Sequence, residues 1–141
     1  MKIIPLKIKG LGYPQGRDAI FLDEEIGKGS STLTLIGEFA GILCTELNKR
    51  VWISYEITFH NVLKTEVTDL DDHYDFYKNE EKEDEEENPE YSSFEQIENS
   101  NFLKESNSKN HHHFVFHTYD DIYDIIATDY SIEIGEERIK G

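Results

Sequence analysis

The sequence predicts a mainly β fold, close to the α+β boundary: an antiparallel β-sandwich or curled sheet with one short helix. Three observations support this prediction. Residues 51–60 alternate strictly between apolar and polar types, further β-branched and aromatic runs follow at strand-like spacing, and residues 92–102 alone have helical features. The 141 residues suit a single domain, 1–141, which is long enough to bury a substantial core.

The first elements are predicted from alternation and turn residues. Ile3–Lys9 alternates, and Pro5, which has no amide proton, predicts an edge strand. After a loop rich in glycine and proline, Ala19–Asp23 is predicted as a short strand. Ser31–Leu47 indicates one long strand or two short ones, and two glycines in its second half predict a bulge or a bend.

The clearest strand is Val51–His60. Its odd positions are Val, Ile, Tyr, Ile and Phe, whereas its even positions are Trp, Ser, Glu, Thr and His, so one face is predicted to lie in the core and the other outside. Asn48 is predicted to close a hairpin between Ile42–Leu47 and this strand. The pairing is expected to continue through Asn61–Thr68, where the apolar phase persists.

The second half of the chain predicts a helix and another hairpin. Ser92 and Ser93, each followed three residues later by Glu or Gln, form a capping-box pattern that predicts a short helix. His113–Thr118 and Ile122–Ile134 are predicted strands joined by a polar turn. The even positions of the latter fit a buried face apart from Asp124, and burial on both faces is expected near its centre.

Charge narrows the possible partners. The net charge is −16, and thirteen of the thirty acids lie between Glu66 and Glu90 against two lysines. Residues 79–90 are therefore predicted to form an acidic loop insertion, because like charges repel. This balance disfavours nucleic acid and anionic membranes as partners. Without an apolar span or a signal peptide, and with Cys44 as its one cysteine, the chain is predicted to be cytoplasmic, as a monomer or homodimer.

Chemical motifs give little support to catalysis, so a non-enzymatic protein without a cofactor is expected. Cys44 lies in an apolar run and is predicted to act as a small buried hydrophobe. An incomplete calcium-loop pattern begins at Asp69 and continues through Asp71, His73, Asp75 and Glu80. Tyr74 occupies the position where such loops need glycine, so a solvated acidic turn is the preferred interpretation.

The histidines suggest an alternative. In a strand His111, His113 and His117 would point the same way and could meet a metal ion. No carboxylate or cysteine stands at chelating spacing in that segment, so exposed loop histidines are the preferred prediction and no metal site is assigned. A metal-binding or small-ligand-binding β-domain that uses these histidines remains the alternative function, together with a role as a subunit of a larger assembly.

Recognition of a protein is the preferred prediction. The even face of the central strand carries Trp52, Glu56 and His60, and large aromatic residues are enriched at binding hot spots. An adjacent acidic run combines carboxylates with aromatic anchors, which suits docking onto a basic protein surface. The predicted partner-binding residues of this run are Asp69, Asp71, Asp72, Tyr74, Asp75, Phe76 and Tyr77.

In size, acidity and its acidic-aromatic segment 69–77, the chain resembles the small bacterial immunity and inhibitor proteins that neutralise basic toxins, notably nucleases. That resemblance implies an inhibitor whose carboxylates occlude a phosphate-binding cleft. The expected function is therefore a non-enzymatic acidic module that binds a basic protein.

Overall fold

The computed structural model describes residues 2–69 and 91–139, which form two antiparallel sheets packed face to face. The predicted mainly β fold with one short helix is confirmed. A 3₁₀ turn spans Gly41–Leu43. The strands are β1 (Lys2–Pro5), β2 (Ile20–Ile26), β3 (Thr32–Ala40), β4 (Val51–His60), β5 (Lys64–Asp69), β6 (Phe94–Glu98), β7 (His112–His117), β8 (Asp121–Ala127) and β9 (Asp129–Ile139), and the helix is α1 (Asn101–Glu105).

The five-stranded sheet has the order β1-β6-β7-β8-β5, and the four-stranded sheet has the order β2-β3-β4-β9. As predicted, the strand that contains Pro5 lies at a sheet edge, where its missing amide proton breaks no ladder. The alternation of β4 is also confirmed, because its odd residues from Ile53 to Phe59 are buried and its even residues are exposed or half-buried.

One bent ribbon joins the two sheets. Strand β4 pairs with β9, and β5, the continuation of β4, pairs with β8, which precedes β9. At the corner the amide of Thr128 donates to the carbonyl of His60 at 3.0 Å, and that of Leu63 donates to Ile126 at 2.8 Å. Asn61, with φ +52°, turns the chain there. The expected continuation of the first hairpin's pairing through Asn61–Thr68 is wrong, because β5 pairs with β8 in the other sheet. The predicted strand Ile122–Ile134 likewise divides at Thr128 into β8 and β9.

The core lies between the sheets and is rich in aromatic side chains. Phe59 of β4 meets Phe94 of β6 with ring centroids 6.2 Å apart, and Tyr130 of β9 lies 4.9 Å from Phe94. Tyr55 packs edge to face on Phe116 of β7 at 5.6 Å. Because both sheets contribute rings to one cluster, neither inner face can be exposed without losing contacts of the other.

The predicted hairpin between Ile42–Leu47 and β4 is wrong. The partner of β4 in this hairpin is β3, and the segment between them turns at Gly41–Leu43 and packs on the loop that follows β1. In that packing the amide of Thr45 donates to the Tyr13 carbonyl at 3.1 Å. Cys44 is buried as predicted, although it lies outside a named strand.

The predicted helix after Ser92 and Ser93 is also wrong, since Phe94–Glu98 forms β6. The Ser92 hydroxyl does accept a hydrogen bond from the Phe94 amide. However, Ser92 precedes a strand that is buried on both faces, and it caps no helix. The helix begins later, after Asn99 turns the chain at φ +58°, and Ser100 is its N-cap.

The predicted insertion at 79–90 lies outside the described residues. Among residues 2–69 and 91–139, no helix combines the length and the apolar character that a bilayer crossing requires.

Candidate functional site

The predicted partner-binding residues fall on different parts of the molecule. Trp52, Glu56 and His60 lie on the outer face of β4 in the four-stranded sheet, as predicted from alternation. At about 3.3 Å per residue they extend over about 27 Å. Asp69 lies instead at the end of β5 in the other sheet, in register with Asp121. The predicted residues Asp71, Asp72, Tyr74, Asp75, Phe76 and Tyr77 lie outside the described residues.

An aromatic cluster surrounds Trp52 at one end of this face. Phe21 of β2 meets Trp52 edge to face at 5.2 Å, and Tyr119, from the turn after β7, stacks on Phe21 at 5.3 Å. The Arg17 guanidinium lies 4.9 Å from the Tyr119 ring centre, and its Nε donates to the Tyr119 carbonyl at 3.1 Å. We call Arg17, Phe21, Trp52 and Tyr119 the aromatic cluster; it combines residue types that dominate binding hot spots.

A charged pair flanks the aromatic cluster. Arg138 of β9 lies in register with Trp52, and its guanidinium donates to both carboxylate oxygens of Glu38 at 2.7 and 2.8 Å. The hydrogen bonds that Arg138 donates to Glu38, together with the negative charge of that carboxylate, raise the pKa of Arg138. This forked pair fixes the Arg138 side chain beside the cluster.

The middle of the face carries a row of carboxylates. Glu24, Ile36, Glu56 and Glu133 occupy one register row across β2, β3, β4 and β9. All three glutamates are exposed, and Glu56 stands directly opposite Glu133. Like charges in such cross-strand positions destabilise a sheet. Among the ion pairs of the described residues, none involves these three glutamates, which we call the carboxylate row.

The far end of the face is polar and hydrogen-bonded, and it carries one carboxylate, that of the exposed Asp129 in register with His60. The hydroxyls of Thr34 and Thr58 lie 3.1 Å apart across β3 and β4, and His60 Nε2 lies 3.1 Å from the Ser131 hydroxyl. His60, predicted as a partner-binding residue, is therefore already hydrogen-bonded within the sheet. The face thus has an aromatic end, a middle with three glutamates and a polar end with Asp129.

A buried serine, histidine and aspartate meet on the outer face of the five-stranded sheet. His113 Nε2 lies 2.7 Å from Asp124 Oδ1, and its Nδ1 lies 2.7 Å from the Ser100 hydroxyl. A carboxylate accepts, so Nε2 donates, and in the neutral ring Nδ1 accepts from Ser100. All three residues are at most 5% exposed. Asp124, the exception in an otherwise apolar face, is buried because His113 binds it.

The same serine hydroxyl caps helix α1. The amide of Leu103 donates to Ser100 Oγ at 3.0 Å, and the ring of Phe102 packs 4.9 Å from that of His113. A nucleophile must reach its substrate, whereas this hydroxyl is buried and engaged on both sides. The arrangement can hold the helix against the sheet, and it presents no accessible nucleophile.

The alternative metal site is not assembled by the described histidines. His113 is fully buried and His117 bonds Glu95 at 2.7 Å, both on the same face of β7, while His111 precedes the strand and bonds the Asn61 carbonyl at 2.9 Å. The prediction of exposed loop histidines is therefore wrong for His113 and also for His117, which is half-buried within β7. Within residues 2–69 and 91–139, no three histidine, cysteine or acidic side chains converge to hold a metal ion.

A shallow groove of about 250 Å³ lies away from both features. Gln15, Leu43, Cys44 and Tyr91 are among its lining residues. Burial raises the pKa of the Cys44 thiol to about 11, and its Sγ lies 3.6 Å from the Ala40 carbonyl. The thiol is therefore protonated at neutral pH and unsuited to nucleophilic attack.

No family model, curated protein or solved structure matches this chain. Sequence reasoning found Trp52 and Glu56 but missed the residues that complete their surroundings, namely Arg17, Phe21 and Tyr119 at the aromatic end and Glu24 and Glu133 in the carboxylate row. No short spacing connects these positions, because separate strands and turns bring them together.

Proposed function

We propose that the chain is a non-enzymatic, cytoplasmic protein-binding module that docks a basic protein on the outer face of its four-stranded sheet. We propose further that it is an immunity or inhibitor protein that neutralises a basic toxin such as a nuclease. The observation that supports the first step most directly is the carboxylate row. Glu56 and Glu133 oppose each other in register, an arrangement that costs stability in the free protein and that a cationic partner would relieve.

The aromatic cluster supports docking of a protein rather than of isolated cations. Trp52 and Phe21 are half-buried and Tyr119 is 39% exposed, so the rings have apolar area that a partner can still cover. Arg17, beside them, adds a further residue type that is enriched at interfaces. Electrostatic attraction by the row would accelerate encounter, and burial of the rings would slow dissociation.

The test measures association with basic nucleases by stopped-flow fluorescence, with an acidic nuclease as the partner control. The double variant Glu56→Gln/Glu133→Gln removes two charges from the row. At contact distances of about 6 Å and 0.15 M salt, this should lower the association rate constant about threefold for each facing positive charge. The matched control, Glu66→Gln/Glu98→Gln, makes the same change at exposed positions of the five-stranded sheet.

Inhibition is measured on the same nucleases. A basic nuclease that is inhibited by the natural chain, less by the row variant and normally by the control supports the proposal. If both variants reduce association equally, net charge acts without a site and the docking face is rejected. If basic nucleases bind without losing activity, the inhibitor role is rejected while the binding role stands.

A further inference from the structure

Among the described residues, the two sheets end in four edge strands, and β9 is the longest of these. Strand β1 has four residues including Pro5, β2 is interrupted by a register shift at Leu22/Glu24, and β5 has six residues. Strand β9 has eleven residues and lies at the end of its sheet, paired within the described residues with β4 alone. A bulge interrupts it, because Gly135 and Glu136 together oppose Ser54, so its regular edge is 129–134. Alternate residues of an edge strand direct their amide and carbonyl groups outward, so the regular part of β9 leaves the groups of about three residues available.

The bent ribbon places this edge in line with an existing strand. Strands β8 and β9 are consecutive and are separated by Thr128. Strand β7 pairs with one edge of β8, and the corresponding edge of β9 has no partner strand among the described residues. The pairing of β7 ends where His112 meets Ala127. An added strand beside β9 would therefore continue the line of β7 past the corner.

The side chains of β9 indicate which strand would fit. Every residue from Asp129 to Ile139 is exposed except Tyr130 and Ile132, which are half-buried. Ile134 lies in register with the buried Tyr55 yet remains 37% exposed, so apolar surface is uncovered at the edge. On the opposite face Glu133 is exposed and belongs to the carboxylate row. Over residues 129–134 the two faces of the strand thus favour apolar and basic partners in alternation. Beyond the bulge the pattern ends, since Glu137 lies in register with the buried Ile53 and Arg138 with Trp52.

We infer that β9 is a strand-addition site for an extended segment in which basic and apolar residues alternate. This inference depends on the proposed function and specifies how the basic partner is held: its backbone would bond the edge of β9, and its basic side chains would face the carboxylate row. A second copy of this chain fits poorly, because pairing two β9 strands would bring acids against acids between molecules of charge −16.

The experiment uses two synthetic nine-residue peptides with the same side chains, alternating Arg and Val, and the full-length chain. One peptide has a natural backbone, and the other is N-methylated at every second residue on the edge that would face β9. The charge is identical, but the second cannot donate these ladder hydrogen bonds. Binding is measured by fluorescence anisotropy, and amide hydrogen exchange followed by mass spectrometry locates the protected strand.

The natural-backbone peptide should bind at least tenfold more tightly than the methylated one and slow exchange in residues 129–139. Equal binding of both peptides, or protection confined to β2, overturns strand addition but leaves a cation-docking face intact. If neither peptide binds and the basic nucleases also fail to associate, the proposed function falls together with this inference. If the nucleases associate and neither peptide binds, strand addition alone is rejected.

Discussion

Replacing Ser100 by alanine tests whether the buried serine, histidine and aspartate hold the fold or perform chemistry. The hydroxyl makes two bonds, accepting from the Leu103 amide at 3.0 Å and lying 2.7 Å from His113 Nδ1. Loss of an N-cap costs about 1 kcal/mol. A buried acceptor left without its donor costs about 1–3 kcal/mol more. We therefore expect Ser100→Ala to lower the free energy of unfolding by about 2–4 kcal/mol.

Urea denaturation followed by circular dichroism measures this loss. With a slope of about 2 kcal/mol per molar, the midpoint should fall by about 1–2 M. Ser100→Gly separates the two contributions, because glycine is nearly as good an N-cap but cannot bond His113. Its loss of stability should therefore come mainly from the missing bond to His113 and only slightly from the N-cap. A change below about 0.5 kcal/mol in Ser100→Ala, or covalent labelling of Ser100 in the folded protein by a fluorophosphonate, would refute the structural role.

Two further predictions concern groups that lie between the two sheets. A Cβ on Gly37 would overlap a carbonyl oxygen of β2, so Gly37→Ala should destabilise the chain by more than about 3 kcal/mol in urea unfolding. In the control Gly135→Ala, the added methyl group meets mainly a movable serine side chain, so the loss of stability should be clearly smaller. Equal losses in the two variants would contradict this prediction. Burial raises the pKa of Tyr55 and of Tyr123 above the ordinary value of 10.0, with the hydrogen bond to Glu25 adding to the rise for Tyr123. Since these tyrosines ionise first in the unfolded chain, their contribution to the free energy of unfolding should be constant below about pH 9 and fall as the pH rises above about 10. A full tyrosinate absorbance at 295 nm in the folded protein near pH 10 would contradict this.

The part of the fold that the sequence predicts well is the part encoded locally. Alternation in Val51–His60 predicts which face of β4 is buried, since a strand side chain's direction depends only on its position in the run. The expected continuation of the hairpin's pairing through Asn61–Thr68 is wrong, because β5 pairs with β8 in the other sheet. The alternation does not predict the corner, because the corner depends on a hydrogen bond between Asn61 and Thr128, which are far apart in the sequence.

The errors have a common cause in tertiary context. The serine-rich capping pattern at residues 92–96 fits a helix locally, but Phe94 and Glu95 are both buried, on opposite faces, which a strand between two partners allows and a short surface helix does not. In the sequence Asp124 is a polar exception in an apolar run. Its burial is explained only by the structure, which places His113, eleven residues earlier, beside it. Buried polar pairs of this kind leave no periodic signature.

The candidate site was only half accessible to sequence reasoning. Trp52 and Glu56 follow from the outward phase of a single strand. Their most informative neighbours do not, since Tyr119 reaches Trp52 through Phe21 and Glu133 reaches Glu56 across β9. A cross-strand pair becomes visible only when the register is known, and the register depends on the corner and on a bulge near Gly135.

The bent ribbon also limits how the chain can misfold. A strand that slips by one residue turns its inward side chains outward, and in an ordinary sandwich each sheet guards against this separately. Here β4 continues into β5, and their partners β8 and β9 are likewise consecutive in the chain. A register shift in one sheet must therefore propagate round the bend into the other. An error in either layer would therefore displace Phe59 and Tyr123 alike, and competing alignments are penalised in both layers at once.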